Sequence, residues 1–166
     1  MINTYNLFAV PVTHCKMPIP INLHKKIVLY VEKNYKKDDI VSCKNGFQFH
    51  GTFDGKEELL KILNLYLNNT LKLKIVHGWL NVLGYKSYNT PHNHIGINIS
   101  HSGVFYLSHE NNNIHFFRDQ ATFEIKPKLF DFLIFPHNLL HYVLPEERNE
   151  KRICFAFNLN QTNEGE

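Results

Sequence analysis

Arg152-Ile153-Cys154-Phe155-Ala156-Phe157-Asn158-Leu159 alternates strictly between two kinds of side chain. Successive residues of a strand point to opposite faces. Ile153, Phe155, Phe157 and Leu159 therefore share one face, which reads as core against a sheet or helix. Arg152, Cys154, Ala156 and Asn158 share the other. A guanidinium, small residues and an amide suit the interior of a pocket. A buried arginine without an anion is costly, so this face predicts an anionic ligand or a paired carboxylate. Glu146, Glu147 and Glu150 offer a surface partner as the alternative.

Working back from this strand, short alternating or apolar runs recur at 72–76, 79–83, 103–109, 114–118, 122–126, 131–135, 140–144 and 151–159, many separated by turn residues such as Asn111-Asn112-Asn113. About eight short strands at such spacing predict a mainly β sandwich or barrel, including the double-sheet jelly roll. Upstream, Leu7 to Val12 reads as a first strand that Pro11 places at an edge. Residues 21–36 and 56–68 show helical spacing of apolar side chains. They predict two N-terminal helices packed on the outside of a sheet. The segment 41–54, with Gly46 and Gly51, reads as a loop or short hairpin. The expected organisation is one domain over 1–166. Residues 1–71 supply a strand and helical support, 72–159 the β core, and 160–166 a polar tail.

A formal net charge of +3 lacks the concentrated basic stripe that nucleic acid demands. Cys15, Cys43 and Cys154 are an odd, widely spaced set, without a zinc pattern or a disulfide framework. The N-terminus carries no basic region and the chain no long apolar run. The expectation is a cytoplasmic protein that does not enter membranes.

The chemistry concentrates in Pro91-His92-Asn93-His94 and in His141, which follows the run Asp131 to Pro136. Imidazole nitrogen is a common ligand of divalent transition metals. Two residues apart on an extended segment, His92 and His94 face one way. The alternative is a pair of surface histidines in a chain with 11 of them. A later His141 and then Arg152 favour a metal site with an anion-holding cation. Asn81, which shares a face with Trp79 and Leu83, and Tyr106 are further pocket candidates, each with packing as its alternative. His101, His109, His115 and His137 read as solvent or packing histidines, with His101 the reserve ligand among them.

Trp79-x-Asn81, Pro91-His92-x-His94, Ser102-Gly103-Val104-x-Tyr106-Leu107, Phe135-Pro136-x4-His141 and Arg152-Ile153-x-Phe155-x-Phe157-Asn158 together resemble a family of small 2-oxoglutarate/Fe(II) oxygenases, frequent in marine phages and bacteria. The resemblance runs from Trp79 to Asn158, with Leu7-Phe8-x-x-Pro11 similar to the family's first strand. It implies a double-stranded β-helix with iron at its open end and His92 and His141 as imidazole ligands. His94 would stand where the wider superfamily has a carboxylate. Arg152 would hold the distal carboxylate of 2-oxoglutarate, with Asn81, Cys154 and Tyr106 beside it. It also implies O2 as co-substrate, succinate and CO2 as products, and hydroxylation of a C–H bond in a small-molecule or peptide substrate. No catalytic residue beyond the metal ligands is required. A phage-encoded member would work in the host cytoplasm, and an oligomer is compatible with the sequence.

Three positions depart from the wider pattern. His94 replaces the carboxylate of the two-histidine-one-carboxylate triad. Cys154 takes the place of serine in Arg-x-Ser, and a thiol is the weaker hydrogen-bond partner. Phe130 occupies a turn that usually carries glycine. Two rival functions are consistent with the same residues: a cupin-like three-histidine enzyme that does not use 2-oxoglutarate, and a non-catalytic jelly-roll binding module.

Overall fold

A computed structural model describes residues 2–7, 10–109, 111–145 and 147–162, with side chains described from Val10 onward and at Thr4. The chain order is β1 (Ile2–Leu7), β2 (Val10–Lys16), α1 (Ile21–Asn34), β3 (Asp38–Ile40), β4 (Cys43–Phe49), α2 (Lys56–Leu71), β5 (Leu73–Leu83) and β6 (Tyr88–His92). It continues through β7 (His101–Tyr106), β8 (Ile114–Arg118), β9 (Ala121–Ile125), β10 (Asp131–Pro136), β11 (Leu140–Val143) and β12 (Arg152–Gln161). The strands pair in the order β1-β2-β10-β7-β12-β5-β4-β6-β11-β8-β9, with β3 on β4. The pairings are antiparallel, and the result is the mainly β, curled jelly-roll sheet with two helices that the sequence predicts.

β4 turns the corner. Its Phe47–Phe49 end pairs with β5 in the large half of the sheet, and its Cys43–Lys44 end pairs with β6 in the small half. The segment 41–54 thus holds more than the expected loop or hairpin. The β3–β4 hairpin exists, but β4 also joins the two halves. Gly46 within it hides the strand from a periodicity reading.

The large half has two dressed faces. On the outer face Leu23, Ile27 and Val31 of α1 and Leu59, Leu63 and Leu67 of α2 pack over Leu80, Val82, Phe105, Phe132, Ile153, Phe155, Phe157 and Leu159. Burying each such side chain contributes about 1.5–3 kcal/mol. The inner face carries Val12, Val104, Tyr106, Leu133, Phe135 and Cys154, packed with Ile114 and Phe116 from the small half. The alternation of Arg152–Leu159 is therefore the division between helix-side core and barrel interior.

Other expected boundaries are corrected. The runs 72–76 and 79–83 are one strand, β5, which crosses His77-Gly78 without a break. Gly78 is required there because a Cβ would lie 2.4 Å from Cζ of Phe155. β6 was not among the expected strands. Pro91 and three polar residues mask it, although it pairs with both β4 and β11. The expected first strand over Leu7–Val12 is instead divided between the end of β1 and the start of β2, with Leu7 paired to Val10, and because β2 also pairs with β10, β1 and not β2 lies at the edge. Pro11 fits because the β10 pairing begins only at Thr13. Phe8 and Ala9, also in that expected strand, lie outside the described residues. The polar tail begins later than Asn160, since Gln161 pairs with Leu73 and the Thr162 N–H donates to the Lys72 carbonyl. Phe130 holds its turn at φ +66. Stacking on Phe105 and an edge contact with His24 offset the cost of a left-handed non-glycine residue.

Candidate metal centre

The three histidines arrive from the small half of the sheet and its adjoining loop. His92 ends β6 and pairs directly with His141 on β11. His94 lies two residues beyond the strand, where its N–H donates to the His137 carbonyl at 2.8 Å. One ring nitrogen from each histidine lies within 4.8 Å of the others. A first-row metal with bonds of about 2.0–2.1 Å draws such nitrogens closer than that, which small rotations of the rings supply.

Hydrogen bonds set the tautomers. His92 Nδ1 meets the Thr90 carbonyl at 2.7 Å and His141 Nδ1 meets the Leu139 carbonyl at 3.1 Å. A backbone carbonyl only accepts, so both Nδ1 atoms carry the proton and both Nε2 lone pairs are free. His94 Nδ1 meets Asn158 Oδ1 at 2.6 Å, which leaves its Nε2 free in the same way. Burial, first of all, pushes all three imidazoles down. His92 falls to about 4, with the proximity of His94 adding to the fall, and His141 falls well below the ordinary range, with His92 and His94 adding. The rings are neutral at physiological pH, as ligation requires. The donor set fits a divalent metal, and three imidazoles accept iron, nickel, zinc or copper.

Below the histidines lies one cavity lined by Gln48, Trp79, Asn81, Asn89, Arg152 and Cys154, among others, and none of its described lining residues is an Asp or Glu. Cross-strand register sets its levels. Asn158 pairs with His77 near the histidines, Ala156 with Trp79, Cys154 with Asn81 and Tyr106, and Arg152 with Leu83 at the far end. Arg152 is 2% exposed. Its guanidinium donates to Tyr106 Oη at 3.2 Å and to Cys154 Sγ at 3.3 Å, and lies 5.0 Å from the Tyr106 ring centroid. Its Nε–H has no partner among the described residues. Burial pushes both the Tyr106 phenol and the Cys154 thiol up, so neither neutralises the guanidinium. Among the described residues no carboxylate lies within ion-pair distance of it. Glu147 and Glu150 do not serve as partners, and Glu146 lies outside the described residues. The cavity volume is about 30 Å³, so a five-carbon diacid requires its wall side chains to move.

The structure thus brings together His92, His94, His141, Arg152, Asn81, Cys154 and Tyr106, all named from sequence. It separates His101, the reserve ligand, which lies in a different groove with Thr13 and Lys72. Asn158, which the sequence placed on the pocket face of β12 without a role, orients His94. Two contributors escaped the sequence. Gln48 and Asn89 stand on β4 and β6, the two strands that periodicity did not reveal. Trp79 stacks on His94, with ring centroids 5.5 Å apart.

Residues 109–158 match the family described as "Putative 2OG-Fe(II) oxygenase". No curated protein matches the sequence. Among solved structures, the chain is similar to a prolyl-4-hydroxylase from Pseudomonas putida (14% identity, 90% of this chain and 92% of that one, TM-score 0.66). It is similar to HygX from Streptomyces hygroscopicus, solved with nickel, 2-oxoglutarate and hygromycin B (9%, 92% and 83%, TM-score 0.66). A third is the Trichoplax adhaerens prolyl hydroxylase in complex with a hypoxia inducible factor peptide (11%, 89% and 83%, TM-score 0.61). At these identities the likeness establishes the fold.

Proposed function

We propose, on the match of residues 109–158 to the family described as "Putative 2OG-Fe(II) oxygenase" together with the site's geometry, that the chain is an Fe(II)- and 2-oxoglutarate-dependent dioxygenase that hydroxylates a C–H bond and releases succinate and CO2. The observation that carries the reading is Arg152. It is a fully buried guanidinium without a carboxylate partner among the described residues, in a carboxylate-free cavity shared with three neutral imidazoles.

His92, His94 and His141 would hold the iron through Nε2, each ring braced at Nδ1. The iron, when bound, supplies O2 activation coupled to oxidative decarboxylation of the keto acid. The protein's own part is binding and exclusion. Arg152 takes the distal carboxylate, a bidentate partner suited to guanidinium geometry. Tyr106 and Cys154 hold the guanidinium in place, and Asn81 borders the same level. Trp79 walls the site beside His94 and keeps water from that side. The substrate enters from the histidine end, where the loop after His94 exposes Ile95 and Ile97. A peptide or small-molecule substrate fits the company of prolyl hydroxylases and HygX.

Anaerobic Fe(II) titration with and without 2-oxoglutarate tests this. The expected result is a visible charge-transfer band that needs both components and is lost in His141→Ala. The three-imidazole donor set favours one other reading, a cupin-like metal enzyme that does not use 2-oxoglutarate. Metal uptake without the band selects that reading, and no metal uptake refutes both.

A further inference from the structure

Asn81 and Asn89 meet across the β4 corner, where Asn81 Nδ2 donates to Asn89 Oδ1 at 3.0 Å. They are 8% and 4% exposed. Both line the cavity that holds Arg152 and the three histidines. Each keeps one polar atom without a partner, Oδ1 of Asn81 and Nδ2 of Asn89. A buried amide group left in that state costs about 1–3 kcal/mol, so two in one wall, in a protein with few such groups, point to an occupant. Turning both amides end for end does not remove the surplus. One amide–amide bond consumes one N–H and one C=O and leaves one of each.

The neighbouring groups decide what kind of occupant. Arg152 Nε–H is unpartnered. Tyr106 Oη accepts from Arg152, which leaves its own O–H proton unspent. Asn89 Nδ2–H adds a third donor. Against these three donors stands one spare acceptor, Asn81 Oδ1. A ligand that only accepts, and does so through more than one oxygen, removes the surplus. A carboxylate is such a ligand.

We propose that Asn89, oriented by Asn81, is a specificity-determining residue that reads the distal carboxylate of the keto acid together with Arg152 and Tyr106. This rests on the 2-oxoglutarate reading above and adds a contact from the small half of the sheet to contacts that all come from the large half. The site would then discriminate for the diacid from both sides of the barrel.

Ni(II)-loaded protein, which is redox-inert in this setting, is titrated with 2-oxoglutarate and with 2-oxopentanoate. The second ligand keeps the keto acid and the chain but ends in a methyl group. Trp79, the single tryptophan of the chain, reports binding by its emission from the same cavity, and calorimetry gives the affinity. Wild type is expected to prefer the diacid. Asn89→Asp retains the acceptor for Asn81 but replaces the donor with an anion. It should lower 2-oxoglutarate affinity about 10- to 100-fold, the range of a lost charge-assisted hydrogen bond, with 2-oxopentanoate affinity held. Asn89→Ser should shift the preference the same way by less, and it decides the matter if the aspartate variant does not fold. If both ligands weaken equally, or the preference survives in a folded variant, Asn89 is only a clamp between the two halves and the proposal is overturned. If wild type binds neither keto acid, the 2-oxoglutarate reading itself falls, and Asn89 with it.

Discussion

Replacing Arg152 with methionine separates a ligand-holding arginine from a structural one. The side chain is 2% exposed and, among the described residues, satisfied only by a phenol and a thiol at 3.2 and 3.3 Å, with Nε–H unpartnered. Burying an unpaired ion costs several kcal/mol even after relaxation. Against this stand one good charge-assisted bond of about 1.5–3 kcal/mol to Tyr106, a weaker one to sulfur, and a cation–π contact of about 2 kcal/mol. The terms nearly cancel or leave the guanidinium a net burden. Methionine fills a similar volume without the charge, and the cost it adds is a Tyr106 hydroxyl without its donor. The Arg152→Met protein, free of metal and keto acid, should therefore be between neutral and about 3 kcal/mol more stable. For a domain near this size that is a rise in Tm of up to roughly 10 °C. The same variant should lose at least 100-fold in 2-oxoglutarate affinity while metal binding stays within a few-fold, because removing one side of a buried ion pair costs about 3–5 kcal/mol. Urea denaturation gives the first quantity and anaerobic calorimetry the second. A variant destabilised by more than about 2 kcal/mol, or one that keeps its 2-oxoglutarate affinity, would mean the guanidinium is a structural anchor and would refute this reasoning.

Gly103→Ala places a Cβ 2.1 Å from Cε2 of the fully buried Phe157, whose ring is already stacked on Phe132 at 5.4 Å. Overpacking of this kind costs about 1–3 kcal/mol or more, read as a lower urea midpoint with an unchanged slope. Asn158→Ala removes the acceptor at His94 Nδ1 and should weaken metal affinity about 10- to 100-fold with little change in Tm, measured by competition with a chromogenic chelator. The metal-free protein should lose stability as pH falls. His92 titrates near 4 when folded and near 6.5 when unfolded, so between those values the unfolded chain binds more protons. His92 alone then accounts for a loss of at most about 3 kcal/mol from pH 6.5 to 4, with His141 acting in the same direction. A flat profile of unfolding free energy across that window would contradict the buried neutral triad.

The parts of the fold that were legible in sequence are those where one physical signal dominates. The alternation of Arg152–Leu159 survives in every detail because one face meets helices and the other lines a cavity. α1 and α2 were legible because their apolar residues recur at helical spacing on solvent-facing segments. β4 and β6 were not. They lie at the corner between the two halves and carry Gly46, Pro91 and polar residues that face the cavity rather than a hydrophobic layer. The same cause hid Gln48 and Asn89, since a residue cannot be assigned to a pocket face before its strand is known. His101 illustrates a different limit. The sequence reads it as a solvent or packing histidine and as the reserve ligand, and only tertiary register, which carries it into a groove with Thr13 and Lys72, distinguishes the two.

In the proposed oxygenase, an imidazole at His94 in place of a carboxylate and the isolation of Arg152 would belong to one electrostatic arrangement. A carboxylate in the ligand set would offset part of a divalent ion's charge. With three neutral imidazoles and no acid among the described lining residues, the wall offsets neither cation. All of the compensating charge must come from what binds. A dianion that ligates at one end and meets the guanidinium at the other answers both demands, and the level between them is where Asn81, Asn89, Tyr106 and Cys154 are placed. The two binding events then support each other, because a metal raises the affinity for the dianion by the same factor as the dianion raises the affinity for metal. In the proposed enzyme this coupling would give His94 a role beyond ligation: as a neutral ligand it would leave the whole of the metal's charge for the co-substrate to neutralise.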